Sequence, residues 1–490
     1  MNSALLLEVA DVLDAAHLAF TLVRGNTSAP VLAMDAVDRA ATFRALARAF
    51  ADDQVYADAI SASDAPSATG GIPALVSTVA PGSDPSPSAF RIFRADDTSR
   101  ALPPAEVQVE FWSIGADTIT LPRPNALTRV TLPRREAVAT TIERFDRRWP
   151  TLQGMFCDLA TDVSFDIDLV FSWVGNAGPA WENARLRRMA GYHLGEGDGS
   201  DARYRQLDEL KYALRSVYRY APWVHRIFIA TDCARPDWLA DDPRFTLVRS
   251  DEFFADPSVL PTHNSHAVES QLHRIPGLAE HFLYSNDDMF FGRRVEPSMF
   301  FSPGGVSKFI QSPNRIGLGD VSLSRSGYEN AARVNRRLLR QRFGRTIARH
   351  LEHAPTPLRK SVLFDLEREF PLDFARTAAS AFRSATDISV TNSLYHYFAL
   401  LTGRAVVQTG ARVSYIDTTT ALGLADMAEL LESRCVDFFC LNDGSSLEVT
   451  ASARADALTR FLESYFPVPG PWENQVNSLD TQTPVSGLNW

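Results

Sequence analysis

Short apolar runs and helical stretches take turns between Phe165 and Asp288, and this alternation constrains the fold more than any other feature. The run Ile167-Asp168-Leu169-Val170-Phe171-Ser172 reads as a buried strand. Helices are expected over 181–189 and 204–220, then strands over 226–230 and 245–248. A helix over 265–274 feeds a further strand at 282–285. Alternation of strand and helix over this length predicts a doubly wound, mostly parallel α/β sheet.

The last of these strands ends in Asn286-Asp287-Asp288. Open α/β sheets bind ligands outside the carboxyl ends of their strands. Two adjacent carboxylates there can hold Mg²⁺ or Mn²⁺, hard cations that combine protein carboxylates with substrate phosphates. A surface turn is the other reading, because Asn and Asp favour turns for backbone reasons.

The 490 residues suffice for two or three domains, and a net charge of −10 argues against a general nucleic-acid binder. Cys157, Cys233, Cys435 and Cys440 form no metal or disulfide spacing, so reduced, buried thiols in a cytoplasmic protein are expected. Glu8, Asp11 and Asp14 interrupt the first apolar stretch, unlike a signal peptide. No run approaches the ~18 apolar residues of a spanning helix. Peripheral membrane contact stays open.

Residues 1–150 read as a small accessory α/β domain. It has helices over 5–20 and 36–52, Pro/Ser/Gly-rich loops at 61–73 and 81–88, strands near 89–93 and 107–112, and a basic connector to Arg148. A glycine-rich stretch at 195–200 reads as a linker rather than a phosphate loop. An arginine-rich helix is expected over 329–349, with arginines on all faces as on a solvated surface. Helices at 358–369, 374–382 and 390–401 form a helical insertion, followed by strands at 406–415 and 437–441. The core domain spans 151–470, and 471–490 reads as a mobile tail.

Four blocks, near 165–176, 203–250, 262–310 and 436–444, carry a resemblance. The first is Ile167-Asp168-Leu169-Val170-Phe171-Ser172-Trp173-Val174. The second is Glu209-Leu210-Lys211-Tyr212-Ala213-Leu214-Arg215-Ser216 with Ala221-Pro222-Trp223-Val224 and Ile227-Phe228-Ile229-Ala230-Thr231-Asp232. The third runs from Asn264-Ser265-His266-Ala267-Val268-Glu269-Ser270 through His273-Arg274-Ile275-Pro276-Gly277-Leu278 to Asn286-Asp287-Asp288. The fourth is Phe438-Phe439-Cys440-Leu441-Asn442-Asp443. In this order the chain resembles the Stealth-family sugar-1-phosphate transferases, nearest to the actinobacterial exopolysaccharide phosphotransferases.

The resemblance implies a Rossmann-like, nucleotide-sugar-transferase-like sheet flanked by helices. It implies a nucleotide-sugar donor, an exopolysaccharide or capsule glycan acceptor, and transfer of a hexose-1-phosphate with release of a nucleoside monophosphate. It adds His353 and Arg383 to Glu269, Asp287 and Asp288 as the catalytic set. Asp168, Trp173, Arg215, Asn264, Ser265, Asn286 and Asn442 are the candidate donor-binding residues, and Asp443 joins Asp287 and Asp288 as a metal candidate.

A histidine near neutral pKa can relay a proton, and an arginine fork can clamp phosphate oxygens. His350 serves as the control for His353. His266, Glu269 and His273 share a helical face by spacing, which reads either as a metal set or as a carboxylate with supporting histidines.

Two departures stand out. Gly175-Asn176-Ala177-Gly178-Pro179 replaces the family's acidic pattern after the first block, and Gln206, Leu207 and Lys211 replace its Asp-Asn and Arg in the second. A different donor or acceptor would account for both, and so would weakened activity. A metal-dependent glycosyltransferase releasing a nucleoside diphosphate, and a non-catalytic glycan-binding protein on a decayed transferase fold, are the competing functions.

Overall fold

The computed structural model describes residues 4–25, 29–51, 53, 55–60, 74–75, 88–94, 106–175, 178–192, 194–196, 198, 207–444 and 448–474. The loops expected at 61–73 and 81–87, Asn176, Ala177, positions 197, 199 and 200, residues 201–206 and the tail from 475 lie outside the described residues. The chain divides into two compact units, Met1–Leu159 and Ala160–Trp490.

In the first unit the helix Ala4–Ala15 buries Leu5, Leu6, Val9, Ala10 and Leu13, the stripe its apolar spacing dictates. Its sheet runs in the order Phe20–Val23, Val31–Asp35, Glu106–Ile114, Ala89–Arg94, Val55–Ala59 and Ala74–Leu75. Only the pair Val31–Asp35 with Glu106–Ile114 is parallel along that path. The segment expected as a basic connector is instead a hairpin, Ala139–Arg144 with Arg147–Leu152. Phe145 and Asp146 close it with φ of 50° and 54°, the backbone a two-residue type I′ turn requires.

The second unit is built on a five-stranded sheet, in the order Phe245–Val248, Ile227–Ala230, Ile167–Ser172, His281–Asn286 and Thr356–Arg359. The first four strands are parallel and the last runs antiparallel to its neighbour. The helix Glu209–Tyr220 buries Leu210, Ala213, Leu214, Val217 and Tyr220, a stripe at helical spacing. Burying each of the larger apolar side chains contributes about 1.5–3 kcal/mol. The sheet order reverses between Ile167–Ser172 and His281–Asn286. A crevice opens at such a switch point, beyond the carboxyl ends of both strands.

Several elements depart from expectation. The helix at 265–274 stops at Glu269 and gives way to a 3₁₀ turn, Leu272–Arg274. Ser270 turns its hydroxyl back to Ala267 O at 2.7 Å, and Pro276 disfavours helical backbone just before it. The expected strand 406–415 is two strands in different sheets, Ala405–Gln408 beside Ser307–Arg315 and Val413–Asp417 beside Phe438–Asn442. A turn separates them, with Gly410 N donating to Gln408 Oε1. The arginine-rich helix is Gly327–Phe343, ended by Gly344 at φ 66°, and Arg349 belongs to the strand Arg349–Leu351.

Candidate active site

The strand His281–Asn286 delivers Asn286, Asp287 and Asp288 at the switch point, with Asn286 in register with Ser172. The strand Met289–Phe291 then pairs antiparallel with Phe438–Asn442, Met289 opposite Cys440. Leu441 N donates to Asp288 O at 3.0 Å, which brings the end of that strand, Asn442 and the following Asp443, alongside Asp287. Two blocks more than 150 residues apart thus meet through one ladder.

Asp288 sits low in this group. The Cys440 thiol donates to its Oδ2 at 3.4 Å, while the buried Oδ1 accepts no hydrogen bond among the described residues. Burial pushes the Asp288 carboxyl up to about 6, and the charge of Glu209 pushes the same way. Glu209 opens the helix Glu209–Tyr220 and accepts from Leu207 N at 2.6 Å. Burial raises it to about 7, with Asp287 adding to the rise and Arg454 opposing it. Sequence reading gave Glu209 no role, since an acid in a first helical turn ordinarily complements the helix dipole. The charges that act on it, Asp287 and Arg454, come from distant segments of the chain.

Beside the acids, the Tyr284 hydroxyl donates to Asn286 Oδ1 at 2.8 Å and lies 3.5 Å from Glu269 Oε1. Thr391 Oγ1 donates to Glu269 Oε2 at 2.6 Å, so this buried carboxylate is oriented from two sides. One helical turn earlier, Ser265 Oγ accepts from Arg383 Nη2 at 3.0 Å. Arg383 is carried there because Asn264 Nδ2 donates to Ser380 O, Phe382 O and Asp387 Oδ2, clamping that segment to the helix start. Asp198 lies 3.8 Å from Arg383 Nη1 and accepts from Gly327 N at 2.6 Å. A Cβ at Gly327 would come within 2.7 Å of Arg383 Cβ, so only glycine admits the arginine there.

His353 is placed by the sheet edge. Thr356 pairs with Tyr284 in the antiparallel ladder, and the chain before Thr356 leads toward the strand end that carries Asp287. Its ring meets Tyr415 edge-on at 4.9 Å, and Tyr415 is the register partner of Cys440. Burial holds His353 below the ordinary imidazole range, with His350 adding a smaller push. Burial also lifts the Tyr415 hydroxyl, and the Asp288 charge contributes to that rise. His350 instead stacks on Tyr328 at 4.9 Å.

Other candidates occupy different places. Asp168 is wholly buried near the amino end of its strand, where it accepts from His225 Nδ1, Arg226 N, Arg226 Nη2 and Ala279 N. Those four contacts make it a structural anchor, not a donor-binding group. Arg215 grips Glu473 with two bonds, at 2.7 and 2.6 Å, and Phe466 O with a third, and Lys211 approaches Glu473 at 3.6 Å. The lysine departure therefore lies in a brace on the chain's later segment. Asn264 is committed to capping His266 N and to its clamp.

Trp173 follows the strand Ile167–Ser172 at its carboxyl end, its backbone N–H donating to Ala230 O. His266 faces Asp387 at 3.7 Å and His273 faces Glu367 at 2.9 Å, so the expected His-Glu-His set points to separate partners. Cys440 alone of the four thiols is fully buried, while Cys157 and Cys435 are exposed.

Carboxyls whose proton affinity is raised by burial and by each other's charge suit a hard divalent cation, which would relieve both. Among the described residues no three of His, Cys, Asp and Glu are grouped to cage a metal unaided. Mg²⁺ commonly takes one or two carboxylates and completes its shell with water and phosphate oxygens. Asp287 and Asp288 fit that arrangement. Asp443 lies 3.5 Å from the Arg454 guanidinium.

Strand order and the acids at the switch point define the second unit as an α/β domain with its candidate site at the carboxyl ends of the parallel strands. The family models Stealth protein CR2, conserved region 2, CR3, conserved region 3, and CR4, conserved region 4, match residues 203–309, 352–400 and 428–482. Exopolysaccharide phosphotransferase CpsY of Mycobacterium tuberculosis (strain ATCC 25618 / H37Rv) is 54% identical over 465 residues, 94% of this chain and 86% of its own. An exopolysaccharide phosphotransferase of Nocardia farcinica (strain IFM 10152) is 53% identical over 461 residues, 94% of this chain and 85% of its own. The chain belongs to the Stealth family and is a transferase enzyme. The solved galactosyltransferase LgtC, in complex with donor and acceptor sugar analogs, covers 62% of this chain and 99% of its own at a TM-score of 0.30 and 10% identity, a likeness too slight to bear on the reaction.

Proposed function

We propose that this chain transfers a hexose-1-phosphate from a nucleotide-diphosphate sugar to a glycan hydroxyl in exopolysaccharide or capsule synthesis. The acceptor oxygen forms a bond to the sugar-bearing phosphorus, the bond from that phosphorus to the bridging oxygen breaks, and a nucleoside monophosphate leaves. The observation that carries this reading is the pair of desolvated acids Asp288 and Glu209, with Asp287 beside them at the switch point and a neutral His353 led in by the neighbouring strand.

In this reading Asp287 and Asp288 would hold Mg²⁺ or Mn²⁺, which when bound offsets the charge of the diphosphate. His353 accepts the acceptor's proton, as a histidine kept neutral by burial can. Arg383 offers guanidinium donors to phosphate oxygens from the start of the Ser265–Glu269 helix. Glu269, held by Thr391 and near Tyr284, orients the sugar hydroxyls. Trp173, Asn286 and Asn442 line the donor side at the strand ends. In this reading the reaction takes place in the cytoplasm. Among the described residues no helix is long and apolar enough to cross a membrane.

The test is incubation of the full chain with a panel of nucleotide sugars, Mg²⁺ and exopolysaccharide fragments. Nucleoside monophosphate together with phosphodiester-linked product supports the reading. Nucleoside diphosphate would replace it with glycosyl transfer, and glycan binding without turnover would point to a decayed transferase.

A further inference from the structure

Single exposed leucines are common on soluble proteins and mean little alone. The loop between the strand Ser307–Arg315 and the helix Gly327–Phe343 is different, because its backbone is held so that two of them face outward. Four successive carbonyls are tied down by arginines. Arg336 donates to Gly317 O and Gly319 O, both at 3.1 Å, Arg333 to Leu318 O at 3.3 Å, and Arg325 to Asp320 O at 2.6 Å. Asn330 clips the next turn through Ser322, accepting from its N–H at 2.9 Å and donating to its carbonyl at 2.8 Å. Leu318 is left 89% exposed and Leu323 72% exposed.

The surrounding charge is as unusual as the leucines. Residues 315–345 carry eight arginines against two acids, in a chain whose net charge is −10. Arg333, Arg336, Arg337 and Arg340 fall at i, i+3, i+4 and i+7, which places them on one helix face. Arg342 lies on the opposite face, so the arginines are not confined to one side, but four of them form a stripe. Arg333 and Arg336 hold the loop, and the stripe continues outward through the exposed Arg337 and Arg340.

We propose that this loop and arginine stripe dock on an anionic phospholipid surface, with Leu318 and Leu323 entering the interface and Arg337 and Arg340 meeting the headgroups. Apolar side chains on a basic rim suit that boundary, where burial and charge attraction add. An anionic polymer would use the arginines and leave the leucines idle. The loop leads directly into Gly327, which packs against Arg383, so docking sets that side of the site close to the bilayer.

The test is co-sedimentation of the full chain with phosphatidylcholine vesicles, alone or mixed with phosphatidylglycerol. Binding should require phosphatidylglycerol and weaken with salt. Each arginine near an anionic surface contributes about fivefold, so Arg337→Ala with Arg340→Ala should weaken binding roughly 25-fold. Leu318→Ser with Leu323→Ser should cost at least about tenfold while leaving the thermal midpoint and turnover on soluble acceptors unchanged. Vesicle binding unaffected by the leucine pair, or equal binding to neutral vesicles, would overturn the proposal. So would failure to sediment with either vesicle while an anionic polysaccharide is retained.

Discussion

The Cys440 thiol donates to Asp288 Oδ2 at 3.4 Å, across a ladder that joins residues 152 positions apart. That contact occupies one oxygen of the carboxylate and leaves the buried Oδ1 turned away from any hydrogen-bond donor among the described residues. A carboxylate so placed is held in orientation yet keeps its charge available. Its neighbour Glu209, itself repelled by Asp287, adds repulsion that an incoming cation would relieve.

Asp288→Asn preserves the shape and removes the charge. Turnover should fall by ~10² or more while the thermal midpoint stays level or rises, because a desolvated charge is lost. Steady-state kinetics beside a melting curve checks this. A large drop in midpoint would make the residue a structural one.

Glu209→Gln tests the electrostatics by pH. The Glu209 carboxyl is raised from 4.5 to about 7 in the folded chain, so the native state holds the proton more tightly than the unfolded state does. Its contribution to stability is fully present below about pH 4.5 and is lost as pH rises through 7. The Gln variant should therefore be more stable than the parent at pH 8, by on the order of 3 kcal/mol, with the gap closing below pH 5. Urea midpoints across that range give the answer, and a constant gap would mean Glu209 is not desolvated as the structure has it.

Added Mg²⁺ or Mn²⁺ should raise the thermal midpoint of the parent at neutral pH, since a ligand binding only the folded state stabilises it. The rise should be lost in Asp287→Asn and in Asp288→Asn, and excess chelator should abolish turnover. Equal shifts in parent and variants would move the cation elsewhere.

His353→Ala and Arg383→Ala should each lower turnover about 10²-fold or more, through proton transfer and phosphate clamping respectively. His350→Ala should leave turnover within about twofold, because its ring stacks on Tyr328 and adds only the smaller push to His353. Arg383→Lys should not restore the loss, since a point charge cannot reproduce the fork. Similar mild effects at all three positions would place the chemistry elsewhere.

Asp168→Ala separates anchor from donor site. Removing the acceptor for His225, Arg226 and Ala279 should cost about 3 kcal/mol of stability, as when one partner of a buried pair is deleted. The Michaelis constant for the donor should be unchanged in the folded fraction. A raised constant with intact stability would return Asp168 to the donor site.

The sequence by itself determined the α/β class, since a strand-and-helix alternation leaves apolar faces that only a covered parallel sheet buries. It also located the acids Asp287 and Asp288, because a strand's end is visible where an apolar run stops at charged residues. Ordered blocks pointed to the family. What Asp168, Arg215 and Asn264 do was decided only by tertiary structure, because whether a polar side chain faces a substrate or a partner depends on distant segments such as Ala279, Glu473 and Asp387. The raised affinity of Glu209 for its proton likewise comes first from burial that no local pattern encodes, and then from Asp287, 78 positions away in the chain. Arg333 and Arg336 of the Gly327–Phe343 helix read as solvated until folding set a loop's carbonyls against them, while Arg337 and Arg340 stay exposed as expected. Local patterns report which face of an element is apolar, while charge, hydrogen bonding and burial at a site are set by what the chain brings to it from afar.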